Sequence, residues 1–147
     1  MNFKSNHLLT AIFDHINKEK HFDRIALKSE DRVLTYQQFF NAVMMVANNI
    51  ALKTLRPNDF VLCVLTHSLE SIVLFFALMY RGHVPCLLSP KLNNEQLKDL
   101  IDSAEVGALV FDVEDSKHRQ IPASIPCINL QDFSWNKTLH QNTQILS

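Results

Sequence analysis

Apolar residues in the first third of the chain recur at helical spacing, and further on they gather into short continuous runs. Leu8, Leu9, Ile12, Phe13 and Ile16 form one stripe behind Asn6, whose side chain can cap a helix, so the spacing predicts a helix over residues 6–18. Two short runs, Ile25 to Lys28 and Val33 to Leu34, flank polar Ser29-Glu30-Asp31 and read as a hairpin. Thr35 and Gln38 then have capping-box spacing, with Leu34 and Phe39 at the two positions of a hydrophobic staple. Phe39, Val43, Val46, Ala47 and Ile50 continue that helix on one face.

Arg56-Pro57-Asn58-Asp59 is a turn by its chemistry, and an alternation of strands and helices follows it. Phe60 to Leu65 is apolar at every position, as a parallel strand covered on both faces must be. Ser68 can cap the next helix, and Glu70 lies in its first turn, where the helix dipole favours an anion; this helix is expected to end at Arg81. Val84 to Leu88 is the second strand. Asn93 and Gln96 repeat the capping-box spacing, Leu92 and Leu97 repeat the staple, and a helix to Ser103 follows. Gly107 to Phe111 reads as a third strand and the run at Cys127 as a fourth. Strands and helices in alternation with short loops predict an α/β fold: a doubly wound, mainly parallel sheet with helices on both faces, preceded by a small N-terminal β-hairpin.

Gly82 stands where the helix ending at Arg81 must turn back into the strand at Val84, the position after a helix that favours a left-handed backbone. Pro85 near the strand start and Pro90 beyond its end bound the segment at places that need no ladder hydrogen bond. Folding alone accounts for all three.

Composition narrows the classes. A chain of 147 residues, 47% of them apolar, can bury one core, so residues 1–147 are read as a single domain whose last part, 113–147, is polar and weakly patterned. The net charge of −1 comes from mixed signs with no basic block, which argues against nucleic acid as a partner. The longest apolar run, Ile72 to Tyr80, is shorter than the ~20 residues of a membrane span, and residues 1–7 have no signal-peptide layout, so a soluble, cytoplasmic protein is expected. Cys63, Cys86 and Cys127 are far apart and odd in number, and they read as reduced core thiols. The seven histidines show no metal-ligand spacing, so no metal site is expected; they read as surface or partly buried imidazoles.

Open α/β sheets place ligands at the carboxyl ends of their strands. Thr66, His67 and Ser68 follow the first parallel strand and Ser89 follows the second, which makes these four the candidate ligand contacts, with helix capping and loop solvation as their plainer roles. No residue is expected to be catalytic. Ser68 in particular lacks the Gly-x-Ser-x-Gly surroundings of a nucleophile elbow.

These residues carry a resemblance. Leu34-Thr35-Tyr36 before a helix, the Arg56-Pro57-Asn58-Asp59 turn, Thr66-His67-Ser68, and the set Gly82, Val84, Pro85 and Pro90 resemble, in order and spacing, four motifs of the N-terminal portion of the adenylate-forming superfamily. That superfamily includes acyl-CoA synthetases, peptide-synthetase adenylation domains and luciferases. The resemblance runs from about Ile25 to Asp112 and departs at Leu87, Ser89 and Asn58, where the family usually has proline, Asp or Asn, and glycine. It implies that the complete enzyme joins a carboxylic acid to AMP with ATP and Mg, releasing pyrophosphate, and then passes the acyl group to a thiol. The family's phosphate loop is rich in glycine, because successive backbone N–H groups must approach the anion. Gly82 and Gly107 are the only glycines here, so this chain is expected to lack that loop. The resemblance implies that the catalytic lysine belongs to a later part of the complete enzyme, so the chain is expected to lack it, to bind no cofactor alone and to be inactive alone. Its expected partner is the remainder of the adenylating enzyme or a second copy of itself. Two other readings remain open at this point: a non-catalytic truncated module that docks on a protein partner or on itself, and an unrelated flavodoxin-like binding domain.

Overall fold

The computed structural model describes residues 7–51, 55–56, 59–133, 135 and 139. Helix α1 (His7–Glu19) leads into a hairpin of β1 (Ile25–Lys28) and β2 (Val33–Thr35), and α2 (Tyr36–Ala51) follows directly. Then come β3 (Phe60–Val64), α3 (Leu69–Tyr80), β4 (Val84–Leu88), α4 (Asn94–Ser103), β5 (Val106–Phe111), a single helical turn α5 (Val113–Ser116), β6 (Cys127–Asn129) and a 3-10 turn over Leu130–Phe133. The hairpin is antiparallel, and the other four strands form one parallel sheet in the order β4-β3-β5-β6.

The central strand shows why its sequence is apolar throughout. Val61 and Cys63 face a core built with α2 and α3, including Val43, Val46, Val73, Leu74 and Leu78. Leu62 and Val64 face the opposite way, onto a second core with Leu97 of α4, Leu109 and Phe111. Helices therefore cover both faces, as the sequence predicts. The register Val61↔Ala108 and Leu62↔Leu109 keeps both alternations in phase across the sheet.

The capping boxes form as their spacing demands. The Thr35 N–H donates to Gln38 Oε1 at 2.8 Å, and the Gln38 N–H donates to Thr35 Oγ1 at 3.2 Å, with both residues buried. Tyr36 begins α2, donates its N–H to the Arg24 carbonyl and sets its ring 6.0 Å from that of Phe40. Asn93 and Gln96 make the same reciprocal pair at the start of α4. At the other end of α3, Gly82 has φ of 85°, and the N–H groups of Gly82 and His83 donate to the carbonyls of Met79 and Leu78. These two bonds are a Schellman closure. Helix α1 closes in the same way on a non-glycine residue: Lys20 has φ of 56°, and the N–H groups of Lys20 and His21 donate to the carbonyls of Asn17 and Ile16.

Pro85 is tolerated for a reason that the hydrogen bonds supply. The Val84 N–H donates to Asp59 and the Leu88 carbonyl accepts from Leu65, so residues 84, 86 and 88 turn their main chain toward β3. Residues 85 and 87 then face away from the sheet, where β4 is the outer strand and no N–H is required. A proline at this place also blunts the open edge.

Several expectations need adjustment. Cys63 is buried, and burial pushes its thiol up to about 12. Cys86 is only half-buried and Cys127 is exposed, so the reading of all three as core thiols is corrected. The reason is local: β6 is an edge strand, and its alternation buries Ile128 and turns Cys127 outward. His83 is more buried than a surface imidazole and bonds the Arg56 carbonyl through Nδ1 at 3.1 Å. Burial lowers its pKa, against the raising effects of that bond and of nearby Asp59. The expected cap Asn6 lies outside the described residues, as do Pro57 and Asn58 of the turn. The turn's flanks are joined, with the Asp59 N–H donating to the Arg56 carbonyl at 3.3 Å. Within the weakly patterned tail the structure adds α5, a turn too short for periodicity to reveal; the Ser116 N–H closes it on the Asp112 carbonyl.

Candidate functional site

The carboxyl ends of β3 and β4 open into a groove of about 350 Å³. Its apolar wall is Leu65, Leu87, Leu88 and Pro90, and its polar groups are Thr66, His67, Ser89 and Lys91. Two hydroxyls, an imidazole and an ammonium beside an apolar wall can hold an anionic group attached to an apolar body. A larger depression of about 570 Å³ lies between α4 and residues 120–122, lined by Glu95, Lys98 and Asp102 among others. It lies away from the strand ends where sheets of this topology place ligands, and the groove is the stronger candidate.

Three of the four sequence candidates, Thr66, His67 and Ser89, come together in that groove. Ser68 does not line it. Its Oγ accepts from the Ser71 N–H at 3.1 Å while Ser71 Oγ accepts from the Ser68 N–H at 2.9 Å, a complete capping box for α3. Ser71 escapes a sequence search because the usual partner at that position is Glu or Gln. The plainer role of Ser68 is therefore the one the structure displays.

Hydrogen-bonded segments flank the groove on both sides. On the β3 side, Glu70 at the start of α3 takes a two-pronged bond from Arg32 of the hairpin, with Nη2 to Oε2 at 3.0 Å. Burial raises the Glu70 pKa, but the Arg32 bond, the N–H of its own helix turn and the Arg32 charge outweigh it, and the carboxyl lies below its ordinary value. On the β4 side, Ser89 to Leu92 form a turn in which the Leu92 N–H donates to the Ser89 carbonyl at 3.0 Å and the Lys91 N–H to Ser89 Oγ at 3.2 Å. Lys91 was not a candidate. A lone lysine after a proline carries no pattern, and only the fold brings it into one groove with His67.

Among the described residues no group of three His, Cys, Asp or Glu could hold a metal ion. The family model for AMP-binding enzyme matches residues 13–145. The chain belongs to the AMP-binding enzyme family. It is 32% identical over 100 residues to a 2-succinylbenzoate–CoA ligase of Bacillus cereus strain Q1, an alignment that covers 68% of this chain and 21% of that protein. Its fold is similar to the N-terminal subdomain of Klebsiella oxytoca NpsA, with a TM-score of 0.75 at 21% identity, covering 86% of this chain and 32% of that one. An artificially fused adenylation-PCP di-domain, NpsA-ThdA from Klebsiella oxytoca, gives a TM-score of 0.73 at 21% identity over 86% of this chain and 23% of that chain. This AMP-binding family chain thus spans about a fifth of the length of the curated relatives that it matches.

Proposed function

We propose that the chain supplies the N-terminal scaffold of a cytoplasmic enzyme that activates a carboxylic acid with ATP and Mg, forms an acyl-adenylate and passes the acyl group to a thiol. The family match over most of the chain carries this reading. Within it, Thr66, His67 and Ser89, joined by Lys91, contact an anionic group of the ligand, whereas Ser68, Thr35, Tyr36, Gly82, Pro85 and Pro90 serve the scaffold. The described residues offer no site for Mg, so no step is assigned to a metal held here. The chain by itself is expected to give no acid-dependent exchange of pyrophosphate into ATP, because the chemistry needs positioned positive charge and backbone donors around the phosphates. Exchange above a no-enzyme control with any carboxylic acid overturns the scaffold reading.

The partner in this reading is the remainder of the enzyme, or a second copy when that remainder is missing. Phe60 and Val84, directly opposite in the β3–β4 register, are 39% and 40% exposed at the amino end of the sheet. Apolar surface of this kind favours cover. In light scattering across a concentration series the isolated chain is expected to grow from one chain toward a twofold dimer. A constant mass of one chain up to high concentration removes self-association.

A further inference from the structure

Arg119 lies in the weakly patterned tail, yet its side chain is only 6% exposed. A buried guanidinium must find partners for its fixed fork of donors. Its Nε bonds Asp115 Oδ2 at 3.1 Å, which balances the charge within one helical turn. The other two nitrogens leave that segment altogether: Nη2 donates to the Pro90 carbonyl at 2.9 Å, and Nη1 donates to the Leu92 carbonyl. The guanidinium carbon lies 6.0 Å from the centre of the Phe111 ring, at the buried end of β5.

Those two carbonyls belong to the turn that carries Ser89 and Lys91 into the groove. The turn has few bonds of its own, the Leu92 N–H to Ser89 and the Lys91 N–H to Ser89 Oγ, and neither ties it to the body of the domain. Leu92 packs against the second core, and Arg119 adds the hydrogen-bonded tie by joining the turn to Asp115 and Phe111. We propose that Arg119 is a positioning residue, whose guanidinium grips the Pro90 and Leu92 carbonyls and so sets the groove lip that presents Ser89 and Lys91 to a ligand.

The proposal rests on the groove as ligand site only for its consequence in binding. The clamp itself is tested separately. Arg119→Lys keeps the charge and the alkyl stem but cannot hold two carbonyls and Asp115 together. In the full chain, hydrogen exchange at the Lys91 and Leu92 amides is expected to quicken by about tenfold or more in Arg119→Lys, while Leu62 in β3 and Leu109 in β5 keep their rates. Asp115→Ala, which leaves the guanidinium in place but removes the acceptor of its Nε, is expected to give a smaller change at the same two amides. It also serves if the lysine variant does not fold. Equal acceleration at every amide, or none at the turn, overturns the proposal.

The binding arm uses inorganic pyrophosphate as probe, followed by the NMR shifts of Thr66, Ser89 and Lys91. Weaker binding in Arg119→Lys with the fold intact supports positioning, and unchanged affinity overturns it. A turn that quickens in a chain whose wild type binds no pyrophosphate supports the clamp and overturns the groove as an anion site.

Discussion

Replacing Gly107 with alanine is expected to destabilise the fold by about 2 kcal/mol, the usual scale of an overpacked site that cannot relax. On propensity alone the change should help, since glycine inside a strand is unfavourable relative to alanine. The opposite sign follows from one close approach. β3 and β5 pair as Phe60↔Val106 and then Val61↔Ala108, so Gly107 is the extra residue of a bulge. A Cβ there would fall within 2.6 Å of the Asp59 carboxyl carbon. Asp59 has little freedom to move: its Oδ2 accepts from the Arg56 N–H and Nε, each at 3.3 Å, and its carbonyl accepts the Val84 N–H at 3.0 Å. Chemical denaturation reads the loss as a lower midpoint. A double-mutant cycle isolates the cause, because in an Asp59→Gly background the same Gly107→Ala change should cost much less. Additive losses in that cycle would mean that Asp59 is not the obstacle.

Replacing Gly82 with valine is expected to cost on the order of 1–2 kcal/mol, for a different reason. Gly82 sits at φ of 85°, where a β-branched side chain strains its own backbone whatever the surrounding space. The turn cannot be re-routed cheaply. The Gly82 and His83 N–H groups close the last turn of α3 on Met79 and Leu78, and the His83 ring is anchored on the Arg56 carbonyl. A small domain has a margin of only several kcal/mol, so the effect is a large share of it. No loss of groove geometry should accompany the change, since Thr66, His67 and Ser89 lie at the opposite end of the strands. An unchanged denaturation midpoint would contradict the left-handed turn. A perturbed groove in a stable variant would contradict the purely structural role.

The chain has two glycines, and they show how far a sequence can be read. Gly82 was legible because its requirement is local: a helix stripe ends, a strand begins two residues later, and the backbone between them must reverse. Gly107 was not, because its requirement comes from Asp59, 48 positions earlier, and nothing in the residues around it encodes that approach. The same division separates Ser68, whose capping role follows from its place before an apolar stripe, from Glu70, whose partner Arg32 lies 38 residues back.

Hydrophobic period and cap chemistry act over three to seven residues, so the sequence alone determined helices α1 to α4, the four sheet strands, the hairpin and the α/β class. The motif order added the family, to which the chain belongs. It also placed Thr66, His67 and Ser89 at strand ends. The tertiary structure decided what depends on distant segments meeting: the order β4-β3-β5-β6, the outward turn of Cys127, the arrival of Lys91 in the groove that His67 lines, and the Arg119 grip on carbonyls 27 and 29 residues away. Such contacts form only after loop closure, and the partners that make them carry no mark in their own neighbourhoods.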